Sequence, residues 1–153
     1  MLKREMYLSR IRGFYDSDLI KILVGIRRCG KSYLLKTIIN ELKEKGVSDN
    51  DIIYIELDKK EFKDIDTPKK LEKVIDGFVN DRAFKYLFID EVQNVKNFEM
   101  VINAYKEEGN YSIFLTGSNS YLLSGELVTK LTGRYIEVEM LPLNFYEYVD
   151  MKR

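Results

Sequence analysis

One stretch of eight residues carries the residue types that bind a polyphosphate. It reads Gly25-Ile26-Arg27-Arg28-Cys29-Gly30-Lys31-Ser32 and matches the pattern G-x-x-x-x-G-K-[ST] at every fixed position. Gly25 and Gly30 let the backbone curl so that several N–H groups converge on phosphate oxygens. Lys31 supplies a positive charge for the β- and γ-phosphates, and the Ser32 hydroxyl is a hard oxygen ligand for Mg²⁺. These residues, with Tyr33 beside them, are the predicted contacts of a nucleotide.

Two carboxylates follow an apolar run later in the chain. Residues 86–91 read Tyr-Leu-Phe-Ile-Asp-Glu, and such a run indicates a central parallel strand that is buried on both faces. Open α/β sheets bind their ligands at the carboxyl ends of the strands, which is where both acids lie. Asp90 is therefore predicted to hold the Mg²⁺ shell beside Ser32. Glu91 is predicted to take a proton from the attacking water.

Strands and helices alternate around these two motifs. The predicted strands cover residues 20–24, 51–57, 86–91, 112–116 and 135–140. The predicted helices cover residues 3–12, ended by Gly13, and residues 32–45, 68–79 and 98–108, with a short apolar helical patch over residues 122–131. This alternation indicates an α/β fold with a parallel sheet.

Composition narrows the class of protein. The 153 residues are 45% hydrophobic, enough for one domain with a core, and the formal net charge is +0. The single cysteine excludes an internal disulfide, and the absence of histidine argues against a structural zinc site. We find neither a membrane-spanning run nor a signal-peptide core, so we expect a cytoplasmic protein. The basic face of the first helix could contact nucleic acid or a protein, or could simply be solvated.

Four stretches together resemble the bacterial and archaeal AAA-superfamily ATPases whose phosphate loop reads G-x-R-R-x-G-K-S. They are residues 25–32, 88–93, 115–120 and 131–147, so the resemblance extends over nearly the whole chain. It implies a three-layer P-loop NTPase fold, in which a five-stranded parallel sheet of order 5-1-4-3-2 has helices on both faces. It also implies that the chain binds Mg²⁺ and ATP, and that hydrolysis to ADP drives rearrangement of a partner or an attached domain.

The resemblance also implies a shared site. Arg134 precedes the fifth strand, at the place where such ATPases carry an arginine finger that reaches a neighbouring subunit's nucleotide. This would make the protein a homo-oligomer whose sites are completed between subunits. The alternatives for Arg134 are capping of the preceding helix and pairing with Glu137.

A polar residue at the end of the fourth strand is predicted to sense the γ-phosphate, although helix N-caps have the same composition and capping is the alternative. Ser118 lies nearest the position of the sensor in the family, and Thr116 and Asn119 are alternatives. Gln93 could orient the attacking water or serve in packing. Cys29 could have its thiolate favoured by Lys31 and the helix N-terminus, or could fill a free position of the loop.

We expect residues 1–153 to form a single domain, with residues 1–18 as an N-terminal helical segment and residues 142–153 as the start of a C-terminal region that is missing.

Related modules usually continue into a helical lid. A nucleotide-binding switch with little turnover therefore remains the alternative to an ATPase. A kinase ranks behind both, because we find no arginine-bearing lid. GTP is disfavoured because residues 94–97 break the pattern N-K-x-D.

Overall fold

A computed structural model describes residues 5–26, 29–118, 130–131 and 135–141 of the chain. The strands are β1 (Ile20–Val24), β2 (Ile52–Glu56), β3 (Lys85–Asp90), β4 (Tyr111–Gly117) and β5 (Tyr135–Glu139). The α-helices within the described ranges are α1 (Glu5–Ile11), α2 (Lys31–Glu44), α3 (Pro68–Phe78) and α4 (Phe98–Glu108). No helix in these ranges is both long and apolar enough to span a bilayer.

The strands form one parallel sheet in the order β2-β3-β4-β1-β5, which confirms the predicted order. The register aligns the carboxyl ends of neighbouring strands. Val24 lies opposite both Gly117 and Glu139, and Glu56 lies opposite Asp90. The residues that follow β1, β3 and β4 therefore meet at one edge of the sheet.

Helices cover both faces of the sheet, which makes the fold a three-layer α/β structure. Helices α1 and α2 pack on one face, which we call the α2 face, against Leu23, Phe88, Phe114 and Val138. Helices α3 and α4 pack on the other face, the α4 face, against the remaining apolar strand residues. Helix α2 buries the apolar residues whose spacing predicted it: Leu34, Leu35, Ile38, Ile39 and Leu42.

The first helix differs from its prediction at the C-terminal end. Helix α1 ends at Ile11, and a 3-10 turn over Arg12–Phe14 continues through the glycine that was expected to stop it. Arg12 lies 2.8 Å from Glu5 and 2.8 Å from Glu41 of α2, and these hydrogen bonds raise its pKa. Tyr15 also donates to Glu41, at 2.8 Å. Part of the predicted basic face is therefore paired within the domain, and it ties α1 to α2.

The predicted apolar helical patch over residues 122–131 lies mostly outside the described residues, which include residues 130–131 of it.

A lysine lies fully buried near the amino end of the apolar first strand. Lys21 Nζ donates to Ser17 O at 2.8 Å and to Ser112 Oγ at 2.7 Å, and it lies 4.6 Å from the centre of the Phe114 ring. Burial lowers the pKa of Lys21 to about 7. The positive charge of Lys106 acts in the same direction, while the carboxylates of Asp16 and Asp18 oppose it.

This buried ammonium should make stability depend on pH. Above about pH 7 the folded chain has lost a proton that the unfolded chain keeps to about pH 10, so the free energy of unfolding should rise with pH in this window. We expect Lys21 to contribute a rise of about 2 kcal/mol between about pH 7 and about pH 9. Lys21→Met should lose that rise in urea unfolding measured at both pH values.

Lys69→Met is the matched control, because Lys69 is exposed on α3. It should keep the pH dependence of the wild type. An equal rise in Lys21→Met and wild type would show that the lysine titrates normally in the fold.

Candidate nucleotide-binding site

The predicted phosphate loop connects β1 to α2, as the motif requires. Gly30 caps α2 with a φ of 96°, a backbone conformation that glycine adopts without strain. Gly25 meets a different constraint, since a Cβ at this position would lie 2.6 Å from Met140 O and 2.8 Å from Cys29 Sγ. The base of the loop thus lies directly against the residue that follows β5, and only glycine fits there.

Lys31 points back into the loop. Its Nζ donates to Gly25 O at 3.0 Å and to Ile26 O at 2.9 Å, and it lies 3.7 Å from Cys29 Sγ. The side chain is buried, with 4% of its surface exposed, and the two carbonyl oxygens that accept its hydrogen bonds are uncharged. A buried ammonium surrounded by neutral acceptors favours the approach of an anion.

The remaining loop positions differ in exposure. Cys29 is fully buried in the core of the α2 face, so its thiol lies away from solvent in this conformation. Ile26 is exposed, and Tyr33 is half-buried, which raises the pKa of its hydroxyl. Arg27 and Arg28 lie outside the described residues.

The structure brings Ser32 and Asp90 together. Ser32 Oγ donates to Asp90 Oδ2 at 2.5 Å, across 58 positions of sequence. Asp90 points to the α2 face because it follows Phe88 by two residues, and side chains alternate along a strand. The other carboxylate oxygen, Oδ1, accepts a hydrogen bond from the hydroxyl of Thr116.

The sequence predicted Glu91 as the last residue of the third strand. In the structure β3 ends at Asp90, and Glu91 is the first residue after it. Its φ of 59° and ψ of 51° are left-handed, which is uncommon for a residue with a side chain. The backbone is held there because Glu91 N donates to Thr116 Oγ1 at 2.9 Å. The side-chain oxygen Oε2 accepts from Ser118 Oγ at 2.9 Å and from Gln93 Nε2 at 2.6 Å.

Thr116 and Ser118, two of the three residues considered as the γ-phosphate sensor, make different contacts. Thr116 is fully buried and its hydroxyl is used by Asp90 and the Glu91 backbone. Ser118 instead contacts the Glu91 carboxylate from a half-buried position. Asn119 lies outside the described residues, as does Arg134.

The oxygen donors at this edge fit a magnesium ion that keeps water and phosphate as its other ligands. Ser32 and Asp90 supply a hydroxyl and a carboxylate, the oxygen donors that Mg²⁺ prefers. Among the residues that the structure describes, no three Asp, Glu, His or Cys side chains form a metal-binding group. Mg²⁺ is usually held by one or two protein oxygens and by the phosphates, so this donor set suits it.

Sequence reasoning missed Tyr54 of β2, whose hydroxyl is buried without a hydrogen-bond partner. The alternation of side chains along the strand does indicate that Tyr54 faces the same side of the sheet as the site. Tyr54 precedes Glu56 by two residues and therefore lies on the same face of the sheet, and Glu56 is the register partner of Asp90.

The fold and this arrangement of loop, hydroxyl and strand-end carboxylates define a P-loop ATPase domain of the AAA type. The family model described as "AAA domain" matches residues 17–149. The chain therefore belongs to the AAA domain family.

Curated relatives are longer than this chain. An uncharacterized protein of Haemophilus influenzae is 37% identical over 153 residues, which is 99% of this chain and 38% of the relative. An uncharacterized protein of Methanocaldococcus jannaschii is 40% identical over 133 residues, which is 87% of this chain and 29% of the relative. The chain spans about a third of the length of these relatives.

Solved structures share the fold at low sequence identity. A DNA polymerase III gamma subunit-related protein of Thermotoga maritima aligns with a TM-score of 0.61 at 15% identity, covering 95% of this chain and 48% of that one. PCH-2 of C. elegans aligns with a TM-score of 0.57 at 18% identity, covering 99% of this chain and 47% of that one. These likenesses support the three-layer architecture.

Thr116 should stabilise the site through its hydroxyl more than through its methyl group. Thr116→Val keeps the volume but leaves Glu91 N buried without its acceptor, so we expect a loss of about 2 kcal/mol in urea unfolding. Thr116→Ser is the matched control and should cost less, because it keeps the hydroxyl. A valine variant as stable as the serine variant would contradict the bridging role.

Proposed function

We propose that this chain binds Mg²⁺ and ATP in the loop of residues 25–32 and hydrolyses ATP to ADP and phosphate. The observation that carries this proposal is the hydrogen bond between Ser32 Oγ and Asp90 Oδ2. It joins the end of the phosphate loop to the end of β3, where a cation bound to ATP phosphates would need its two protein oxygens.

Lys31 is proposed to bind the β- and γ-phosphates. Its Nζ now donates to two carbonyl oxygens of the loop, so a small change in side-chain torsion would turn it toward an anion. The N-terminus of α2 adds its free N–H groups and a partial positive charge at the same place. The bound Mg²⁺ would neutralise charge on the phosphates, with Ser32 and Asp90 as the residues that hold it.

Glu91 is proposed as the general base. Both of its described hydrogen bonds end on Oε2, so neither uses Oε1. Ser118 and Gln93 would thus fix the direction of the carboxylate while Oε1 accepts a proton from the attacking water. Ser118 is also the proposed γ-phosphate sensor, since it touches the base.

The coupled work and the assembly of the protein are further parts of the proposal. Hydrolysis would drive rearrangement of a protein or nucleic-acid partner, or of a region attached to this domain, as the greater length of the relatives suggests. We propose that Arg134 completes a neighbouring subunit's site in a homo-oligomer. We also propose a cytoplasmic location.

A nucleotide-binding switch with little turnover is the second candidate. The observation that favours it is that Ser118 and Gln93 both hydrogen-bond to the Glu91 carboxylate. A base held in this way could remain idle until a partner releases it.

Replacing the loop lysine with alanine should weaken the binding of Mg-ATP and leave the fold intact. Lys31→Ala deletes a charge worth two charge-assisted hydrogen bonds, so we expect affinity for Mg-ATP to fall at least ~100-fold by calorimetry. Lys43→Ala is the control on the same helix, because Lys43 forms an exposed ion pair with Asp49 at 3.1 Å. Equal affinity in wild type and Lys31→Ala would remove this loop as the ATP site.

Glu91→Gln should separate binding from turnover. Loss of a positioned base slows hydrolysis at least ~100-fold, while affinity for ATP should stay within about a factor of three. Phosphate release measures the first quantity and calorimetry the second. Glu107→Gln, an exposed glutamate of α4, is the control and should leave both unchanged.

If the wild type binds ATP but turns it over no faster than Glu91→Gln does, the switch is the correct function. Turnover well above that background supports the ATPase.

A further inference from the structure

Two buried side-chain polar atoms lack a hydrogen-bond partner in the described part of the chain. They are Tyr54 Oη and Gln93 Oε1. Leaving a buried hydroxyl unpaired costs about 1–3 kcal/mol, so such an atom in a well-packed sheet calls for an explanation.

The Tyr54 ring is held in place by its neighbours. Tyr54 pairs with Phe88 in the register of β2 and β3, and the two rings meet edge to face with centroids 6.4 Å apart. The ring packs against the core of the α2 face, beneath the helix that the phosphate loop opens. Its hydroxyl therefore occupies a fixed position and does not swing freely.

Two carboxylates, those of Asp90 and Glu56, lie on the same face of the sheet as this hydroxyl without bonding to it. Asp90 and Glu56 end the same two strands in register, and their negative charges add to burial in raising the pKa of Tyr54. Yet neither carboxylate is a hydrogen-bond partner of Oη. On the helix side, Lys36 Nζ lies 4.0 Å from Glu56.

A water molecule bound to a cation would satisfy the hydroxyl. Metal-bound water is a strong hydrogen-bond donor, and Mg²⁺ keeps several waters when it is held by one or two protein oxygens. A tyrosine hydroxyl can accept from such a water and donate to a carboxylate at the same time. Ser32 and Asp90 place the proposed cation on this face of the sheet.

We propose that Tyr54 is a positioning residue for the hydration shell of the divalent cation that binds beside Ser32 and Asp90. The hydroxyl is left unpaired in the ligand-free chain and gains its partner when the cation and nucleotide bind. This inference rests on the proposed function, because it requires a cation in the nucleotide site.

Tyr54→Phe tests the proposal, because it removes the hydroxyl and keeps the ring. Without ligand, the variant should be at least as stable as the wild type in thermal unfolding, since no hydrogen bond is lost. With saturating ADP, the Mg²⁺ concentration that gives half of the cation-dependent stabilisation should rise about tenfold. Binding of ADP in the presence of EDTA should not change.

Tyr86→Phe is the matched control. Tyr86 lies on the neighbouring strand and packs against the same core, but its hydroxyl donates to Asp16 at 2.5 Å. This control should lose stability without ligand and keep the Mg²⁺ requirement of the wild type.

Three outcomes would overturn the inference about Tyr54. They are an unchanged Mg²⁺ midpoint in Tyr54→Phe, an equal loss of ADP affinity with and without Mg²⁺, and a ligand-free variant that is clearly less stable than the wild type. A wild type that gains no stability from ADP and Mg²⁺ would instead overturn the proposed function itself.

Discussion

The hydrogen bond between Ser32 and Asp90 depends on the register of the parallel sheet. In a strand, a slip of one residue moves every side chain to the opposite face. Such a slip of β3 would turn Asp90 toward α3 and α4 and away from the helix that carries Ser32. The register is enforced on both faces, because Phe88 stacks on Phe114 at 4.5 Å on one side and Leu87 and Ile89 are buried on the other. The apolar core thus determines where the polar site can form.

Buried polar groups at the two ends of the sheet differ in whether they have charged or hydrogen-bonding partners. At the amino end, Lys85 Nζ lies 2.8 Å from Asp51 and 2.5 Å from Asp81, and Lys21 bonds to Ser17 and Ser112. At the carboxyl end, Lys31 donates to two neutral carbonyl oxygens, and two buried polar atoms of the described residues, Tyr54 Oη and Gln93 Oε1, have no partner. Because unpaired polar atoms reduce stability, their grouping around the acids of β3 suits a site that is completed by a ligand.

The parts of the structure with a local pattern could be predicted from the sequence. The first strand has its predicted bounds, since its apolar run stops at the glycine of the loop, and α3 begins at Pro68 as predicted. The contact between Ser32 and Asp90 could also be predicted from the sequence, because the carboxyl ends of parallel strands lie at one edge of the sheet. The left-handed backbone of Glu91 could not be predicted, since it depends on Thr116, 25 positions away. The buried lysine in β1 was missed for a related reason, because lysine is ordinarily exposed and its partners come from other segments.

A crystal structure of the chain with Mg²⁺ and a non-hydrolysable ATP analogue would test the central claim most directly. We expect Lys31 Nζ to leave the carbonyls of Gly25 and Ile26 and to bind the phosphates. We also expect the cation to lie against Ser32, with Asp90 beside it. A nucleotide bound away from residues 25–32, or phosphates in the loop with Lys31 still bonded to those carbonyls, would contradict this claim.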